Sequence, residues 1–174
     1  MLVNFRDIDW FQYFKGFGLV PRMKRQRRSK GAEVMNVYAA FDIETSTIWL
    51  SNENTDAHGF MYIWQFQLDE TVTIIGRTWD EFLEFLRNVR EAIRPKVLCM
   101  YVHNLSFEFQ FLKGIYAFQQ DEVFAVEPRK VLKCTMYDTF EFRCSYLLTN
   151  MSLDQFTDTM KVEHQKLEGY DYLK

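Results

Sequence analysis

The sequence predicts an α/β fold in which helices flank a mixed β-sheet. Three observations predict it. The apolar pattern resolves into three strands, a helix, a strand, a helix, further strands and a last helix, an order that suits a sheet with crossover connections. The second and third strands are separated only by Asp69-Glu70, a link short enough for an antiparallel pair, and with the first strand they form a meander. Two capping-box signatures, Thr78 with Glu81 and Ser152 with Gln155, mark where strand-like patterning gives way to helix.

The elements follow in order. Residues 4–20, "NFRDIDWFQYFKGFGLV", are aromatic and irregular, and predict an amphipathic turn or short helix packed on the domain. A basic run, "RMKRQRRSK" at 22–30, ends at Gly31. "VYAAFDIE" then reads as a first strand buried on both faces, followed by strands at 60–68 and 71–77. The helix that Thr78 opens carries Phe82, Leu83, Phe85, Leu86, Val89 and Ile93 at helical spacing and stops at Pro95. "KVLCMYV" (96–102) is a near-continuous apolar strand that pairs beside the first. "HNLSFEFQFLKGIY" starts a second helix with Asn104 at its N-cap and Gly114 at its middle or break. Strand material follows at 122–128, 130–138 and 140–148, and the helix after Ser152 shows Leu153, Phe156 and Met160 on one stripe.

At 174 residues the chain has the length of one domain, divided here into an aromatic and basic extension, 1–34, and a domain, 35–174. With 48% apolar and 17% aromatic residues it can build a core, and three Pro and seven Gly exclude a low-complexity chain. Apolar runs are interrupted well short of the ~20 residues a membrane span needs. The acids in "MLVNFRDIDW" do not suit a signal peptide. Cys99, Cys134 and Cys144 lack metal-ligand spacing and read as reduced thiols. The expectation is a cytoplasmic protein without a membrane partner. Residues 1–30 hold eight Lys or Arg against two Asp, a surplus of +6 in a chain of net charge −3, which leaves −9 over the rest. The basic run is either a solvated arm or a phosphate-contacting one.

The stretch "YAAFDIETST" (38–47) sets two carboxylates, Asp42 and Glu44, two residues apart. On a strand, positions i and i+2 share a face. Two unit charges about 4 Å apart repel by roughly 4 kcal/mol at an effective dielectric near 20, so either one acid holds a proton or a cation lies between them. Glu108, in the first turn of the helix after the fourth strand, faces the same sheet edge. Ligands of open α/β sheets gather outside the carboxyl ends of strands, and three acids there match the oxygen preference of Mg²⁺ or Mn²⁺. The alternative is an exposed acid pair and a glutamate that complements a helix dipole.

"FDIETS" resembles the first exonuclease motif, D-x-E, of family B DNA polymerases. "YVHNLSFEFQFL" resembles their second, N-x-x-F-[DE], in the form found in protein-primed polymerases of phages and linear plasmids. "MYDTFEF" is similar to that subgroup's Y-D-[ST]-[LF] segment, and "MSLDQFTDTMKVEHQKLEGYDYLK" to the helix and lysine-containing loop that follow. The resemblance covers about 36–174 and implies a ribonuclease H-like fold of the DEDD exonuclease kind. It implies 3′–5′ removal of terminal nucleotides from single-stranded DNA with two Mg²⁺ or Mn²⁺ ions, in a phage-infected or plasmid-bearing bacterial cell.

Carried over by position, Asp42, Glu44 and Glu108 hold the metals and Lys166 neutralises the scissile phosphate. Thr45, Asn104, Phe107, Thr139 and Phe140 grip the frayed 3′ end. Glu108 stands where the family usually has Asp. The third motif, Tyr-x-x-x-Asp, is expected some twenty residues beyond Tyr172, and the sequence stops at Lys174. Tyr170, Asp171 and Tyr172, Asp154 with Asp158, and His164 do not reproduce it. The resemblance therefore implies a piece truncated before that motif, whose partners include the remaining polymerase domains or a terminal protein. Two other readings stay open: a catalytically silent module that binds single-stranded DNA or a partner, and a scaffold with no nucleic-acid role.

Overall fold

A computed structural model describes residues 1–20, 33–49 and 57–163; the basic run 22–30 and Lys166 lie outside the described residues. The elements are α1 (Trp10–Lys15), β1 (Leu19–Val20), β2 (Val34–Met35), β3 (Ala39–Trp49), β4 (Ala57–Leu68), β5 (Val72–Gly76), α2 (Trp79–Ile93), β6 (Leu98–Val102), α3 (Leu105–Ile115), β7 (Val123–Glu127), β8 (Lys130–Met136), β9 (Phe140–Cys144), α4 (Tyr146–Thr149) and α5 (Leu153–Met160). A seven-stranded sheet has the order β5-β4-β3-β6-β9-β8-β7. Strands β3, β4 and β5 are the antiparallel meander, and β6 and β9 continue it in parallel. This is the mixed sheet with flanking helices that the order of elements predicts.

Period-2 alternation decides which residues form the core. Phe41, Ile43, Trp64, Phe66, Ile74, Leu98, Met100, Val102, Phe140 and Phe142 are buried. Helix α2 lays Phe82, Phe85, Leu86, Val89 and Ile93 against them. The ring of Phe41 stacks on Phe82 at 4.9 Å, and Phe66 meets Phe85 edge-on at 4.8 Å. The capping box expected at Thr78 and Glu81 is complete, each side chain bonding the other residue's backbone amide. Gly76 is required because a Cβ there would overlap the Trp64 ring.

Several expectations need correction. The first strand is not buried on both faces: Ala39, Phe41 and Ile43 are buried whereas Ala40 and Asp42 are exposed. It also runs past Glu44 to Trp49, because β4 continues to pair with it beyond the sheet. The strand expected over 140–148 ends at Cys144, where its ladder with β6 ends at Val102, and the chain turns into α4. Of the two places expected for Gly114, the structure shows the break: it is the next-to-last residue of α3.

The aromatic N-terminal residues join the same core. Phe5, Trp10 and Phe14 are buried, with Trp10 and Phe5 centred 5.6 and 5.8 Å from the Phe85 ring. Arg6 pairs with Glu84 of α2 through both carboxylate oxygens. Among the described residues no helix is long and apolar enough to cross a membrane. The cysteines are free thiols, Cys99 and Cys134 buried and Cys144 partly so.

Candidate active site

Strand β3 brings Asp42 and Glu44 to one face, as the i, i+2 spacing requires. Immediately after Glu44 the register slips: Glu44 pairs with Ile63 but Thr45 with Met61, so Tyr62 is the extra residue of a bulge in β4. A bulge bends and twists its ribbon, and Thr45, next along β3, is not on the cavity wall that Asp42 and Glu44 line.

Strand β6 runs parallel to β3, with Ala40 opposite Tyr101, so its carboxyl end delivers His103 and Asn104 beside the acid pair. Asn104 stands at the N-cap of α3, as expected, but its side chain makes no capping bond. Its backbone is left-handed at φ 68°, a conformation Asn tolerates better than most residues. The amide is thereby released to the cavity wall. One turn into α3, Glu108 is 3% exposed. Strand β9 is parallel to β6 and delivers Ser145 and Tyr146 to the same edge.

These segments enclose a cavity of about 970 Å³ whose lining includes Asp42, Glu44, Asn104, Phe107 and Glu108. It lies outside the carboxyl ends of β6 and β9, where open α/β sheets collect ligands, and alongside the first half of β3. The cavity also takes in residues that the sequence reading passed over for the site: His103, Ser145, Tyr146 and the Ser152–Asp154 segment at the start of α5. The Ser152 capping box locates that helix start in sequence, and only the chain path after β9 brings it to this edge.

Burial pushes the Glu108 carboxyl up to about 8, opposed by a bond from its own backbone amide and reinforced by the charge of Asp42. Near neutral pH, without a cation, Glu108 therefore keeps its proton. Its Oε2 is buried with no hydrogen-bond partner among the described residues. The donor chemistry of Asp42, Glu44 and Glu108 fits a hard divalent cation, being all carboxylate oxygen with one buried oxygen unpaired. Their spacing is wider than a coordination sphere: among the described residues no three acid, histidine or cysteine side chains stand close enough to hold one ion.

Thr139 and Phe140 are not brought to this cavity. Phe140 begins β9 and Thr139 precedes it, and because β9 and β6 are parallel both lie at the opposite end of the strands, Phe140 roughly 13 Å from Cys144 at about 3.3 Å per residue. Phe140 is fully buried in the core and Thr139 is 3% exposed, so the Phe140 ring is packing rather than a stacking surface. The "YDTF" segment is the β8–β9 hairpin turn. The connection has three residues, since Met136 pairs with Phe140; Tyr137 and Asp138 are left-handed at φ 57° and 56°, and the Thr139 amide donates to the Met136 carbonyl at 3.2 Å, closing a β-turn over 136–139. Tyr137 is held there by Tyr116, whose hydroxyl accepts from its amide at 3.2 Å, and by Arg90, which donates to its carbonyl at 3.2 Å. Phe107, by contrast, is 43% exposed on the cavity wall.

No family model matches the chain, and no curated protein matches it. Among solved structures, phi29 DNA polymerase complexed with single-stranded DNA is similar, with a TM-score of 0.61 and 14% identity over 77% of this chain and 25% of that one. The chain thus spans about a quarter of that polymerase. At this identity the likeness is one of fold.

Proposed function

We propose that the chain is a 3′–5′ exonuclease domain of the family B DNA polymerase type, acting on the 3′ end of single-stranded DNA. One observation carries the reading: acids and an exposed ring from two motifs some sixty residues apart in sequence, Asp42 and Glu44 with Asn104, Phe107 and Glu108, line a single cavity. On this reading Asp42, Glu44 and Glu108 hold Mg²⁺ or Mn²⁺, which when bound supply an activated water and neutralise the leaving oxygen. Glu108 gives up its proton as it becomes a ligand. The Asn104 amide bonds a phosphate or sugar oxygen, and the Phe107 ring stacks on an unpaired base. Lys166 keeps its motif-based role as a phosphate contact, whereas Thr45, off the cavity wall, is given none.

The test is incubation with Mn²⁺ and a 5′-labelled single strand beside the Asp42→Ala variant. Stepwise shortening from the 3′ end that the variant lacks is the expected result; shortening that persists in the variant, or none in either, refutes nuclease action. The separation of the acids favours a second reading, a module that binds single-stranded DNA or a partner without cutting. It predicts DNA binding that weakens steeply with salt, with the strand left intact.

A further inference from the structure

We propose that the tip of the β7–β8 hairpin, through Arg129 and Lys130, holds backbone phosphates of the single strand behind the nucleotide that enters the cavity; this deepens, and rests on, the nucleic-acid reading above. Glu127 pairs with Lys130, so Pro128 and Arg129 are the two residues of the turn. Arg129 is left-handed at φ 67°, in the second position of a turn led by Pro, where Gly or Asn is the usual occupant. A residue with a Cβ is disfavoured in that conformation. The fold gains nothing from the side chain placed there. Arg129 and Lys130 are both exposed, and neither side chain has a hydrogen-bond or ion-pair partner among the described residues. Glu127, across the turn, forms no ion pair with them. The tip thus presents two uncompensated cations on a backbone that a glycine would suit better, and an outlier of this kind points to a contact outside the chain.

The hairpin is anchored beside the cavity. The Val131 amide donates to Ser106 Oγ at 2.9 Å, and that hydroxyl donates to the Val131 carbonyl at 3.5 Å. Ser106 lies in the first turn of α3, next to Phe107 of the cavity wall. Lys133 pairs with Arg143. Three residues beyond that pair, Lys130 stands past Cys144, at the end of the sheet where Ser145 and Tyr146 line the cavity. Two register slips in β7, between Phe124 and Ala125 and between Ala125 and Glu127, bend the ribbon below its tip and make its open edge unsuited to strand addition. The cavity wall carries Asp42, Glu44 and Asp154, which repel a polyanion. Cations outside the wall offset that repulsion at the phosphates the cavity does not reach. Phosphate is common to every nucleotide, so the contact holds the strand without reading its sequence.

The experiment is a titration of the protein, in EDTA to prevent cleavage, with a labelled oligothymidine strand at several salt concentrations. The wild type is compared with Arg129→Gly and with Arg129→Gly combined with Lys130→Gln. Each single-strand phosphate contact contributes about 0.7 to the slope of log affinity against log salt, so the single variant should flatten the slope by about 0.7 and the double by about 1.4. Glycine adopts the left-handed turn freely, so Arg129→Gly is expected to keep the wild-type urea midpoint or exceed it, which separates weaker binding from loss of fold. Should either form fail to fold, Lys130→Gln alone carries the test, with a flattening of about 0.7. A second strand carries uncharged methylphosphonate linkages everywhere except at its last few nucleotides. Wild type and variants should bind that strand alike, because the phosphates the tip holds are gone. Slopes that the substitutions leave unchanged, or a loss of equal size on the neutralised strand, overturn this proposal and leave the nucleic-acid reading standing. A wild type that binds no strand refutes the nucleic-acid reading itself, and this proposal with it.

Discussion

Replacing Glu108 by glutamine keeps the size and hydrogen-bonding shape of the side chain and removes its titration. In the folded protein the Glu108 carboxyl holds its proton up to about pH 8, chiefly because it is buried, against an ordinary value of 4.5. Below about pH 4.5 both the folded and unfolded chains keep the proton, and its contribution to stability is complete. Between there and about pH 8 the unfolded chain ionises first, so it binds fewer protons and stability falls as pH rises. Above about pH 8 both forms are ionised and the loss is complete. At about 1.36 kcal/mol per unit the interval amounts to roughly 5 kcal/mol, and local relaxation brings the expected loss to roughly 3–5 kcal/mol. Urea unfolding of both proteins in metal-free buffer, at about pH 5 and about pH 9, measures it. Glu108→Gln should match the wild type at the lower pH and exceed it at the higher by most of that amount. Parallel pH profiles, with a constant difference between the two proteins, would refute the burial argument.

Mg²⁺ or Mn²⁺ at millimolar concentration should raise the thermal midpoint of the wild type, more at about pH 8 than at about pH 6, because binding displaces a proton; Asp42→Ala should abolish the shift, which calorimetry would record. Phe140→Ala should destabilise by about 3–5 kcal/mol in urea unfolding, as expected for a fully buried ring. Phe107→Ala should leave stability nearly unchanged and weaken single-strand binding by about 1–3 kcal/mol in a fluorescence titration. Gly76→Ala should cost about 1–3 kcal/mol, because the new methyl group must displace the Trp64 ring; an unchanged unfolding midpoint would contradict that close contact.

Local rules made much of the frame legible. The capping boxes at Thr78 and Ser152 start their helices where those residues require, because a cap involves only neighbours in sequence. The common face of Asp42 and Glu44 follows from strand period alone. Features that depend on distant pairing were not legible. The slip after Glu44 needs the partner strand, since a bulge is a mismatch between two strands. The left-handed turn at Asn104 reverses the usual inference from an N-cap asparagine, because its side chain makes no cap bond. Phe140 and Phe107 look alike in sequence, and only the strand order sends one into the core and the other to the cavity. His103 and Ser145 are 42 positions apart and meet because β6 and β9 are parallel neighbours.

The choice posed by Asp42 and Glu44, between a proton and a cation, acquires a third participant. Glu108 is the buried acid of this cavity, so burial first, and the charge of Asp42 after it, hold a proton there in the metal-free protein. A divalent ion entering the cavity has to displace that proton, so ion and proton compete for one group. The destabilisation that Glu108 imposes at high pH is then the same free energy that a cation recovers by binding. Glu108→Gln should accordingly produce a protein that is more stable in alkaline buffer and less responsive to Mg²⁺, the trade expected where a site is maintained against the interest of the fold. If stability rises in that variant while the response to Mg²⁺ stays intact, Glu108 is a buried acid of the core and not a ligand, and the metal reading has to rest on Asp42 and Glu44 alone.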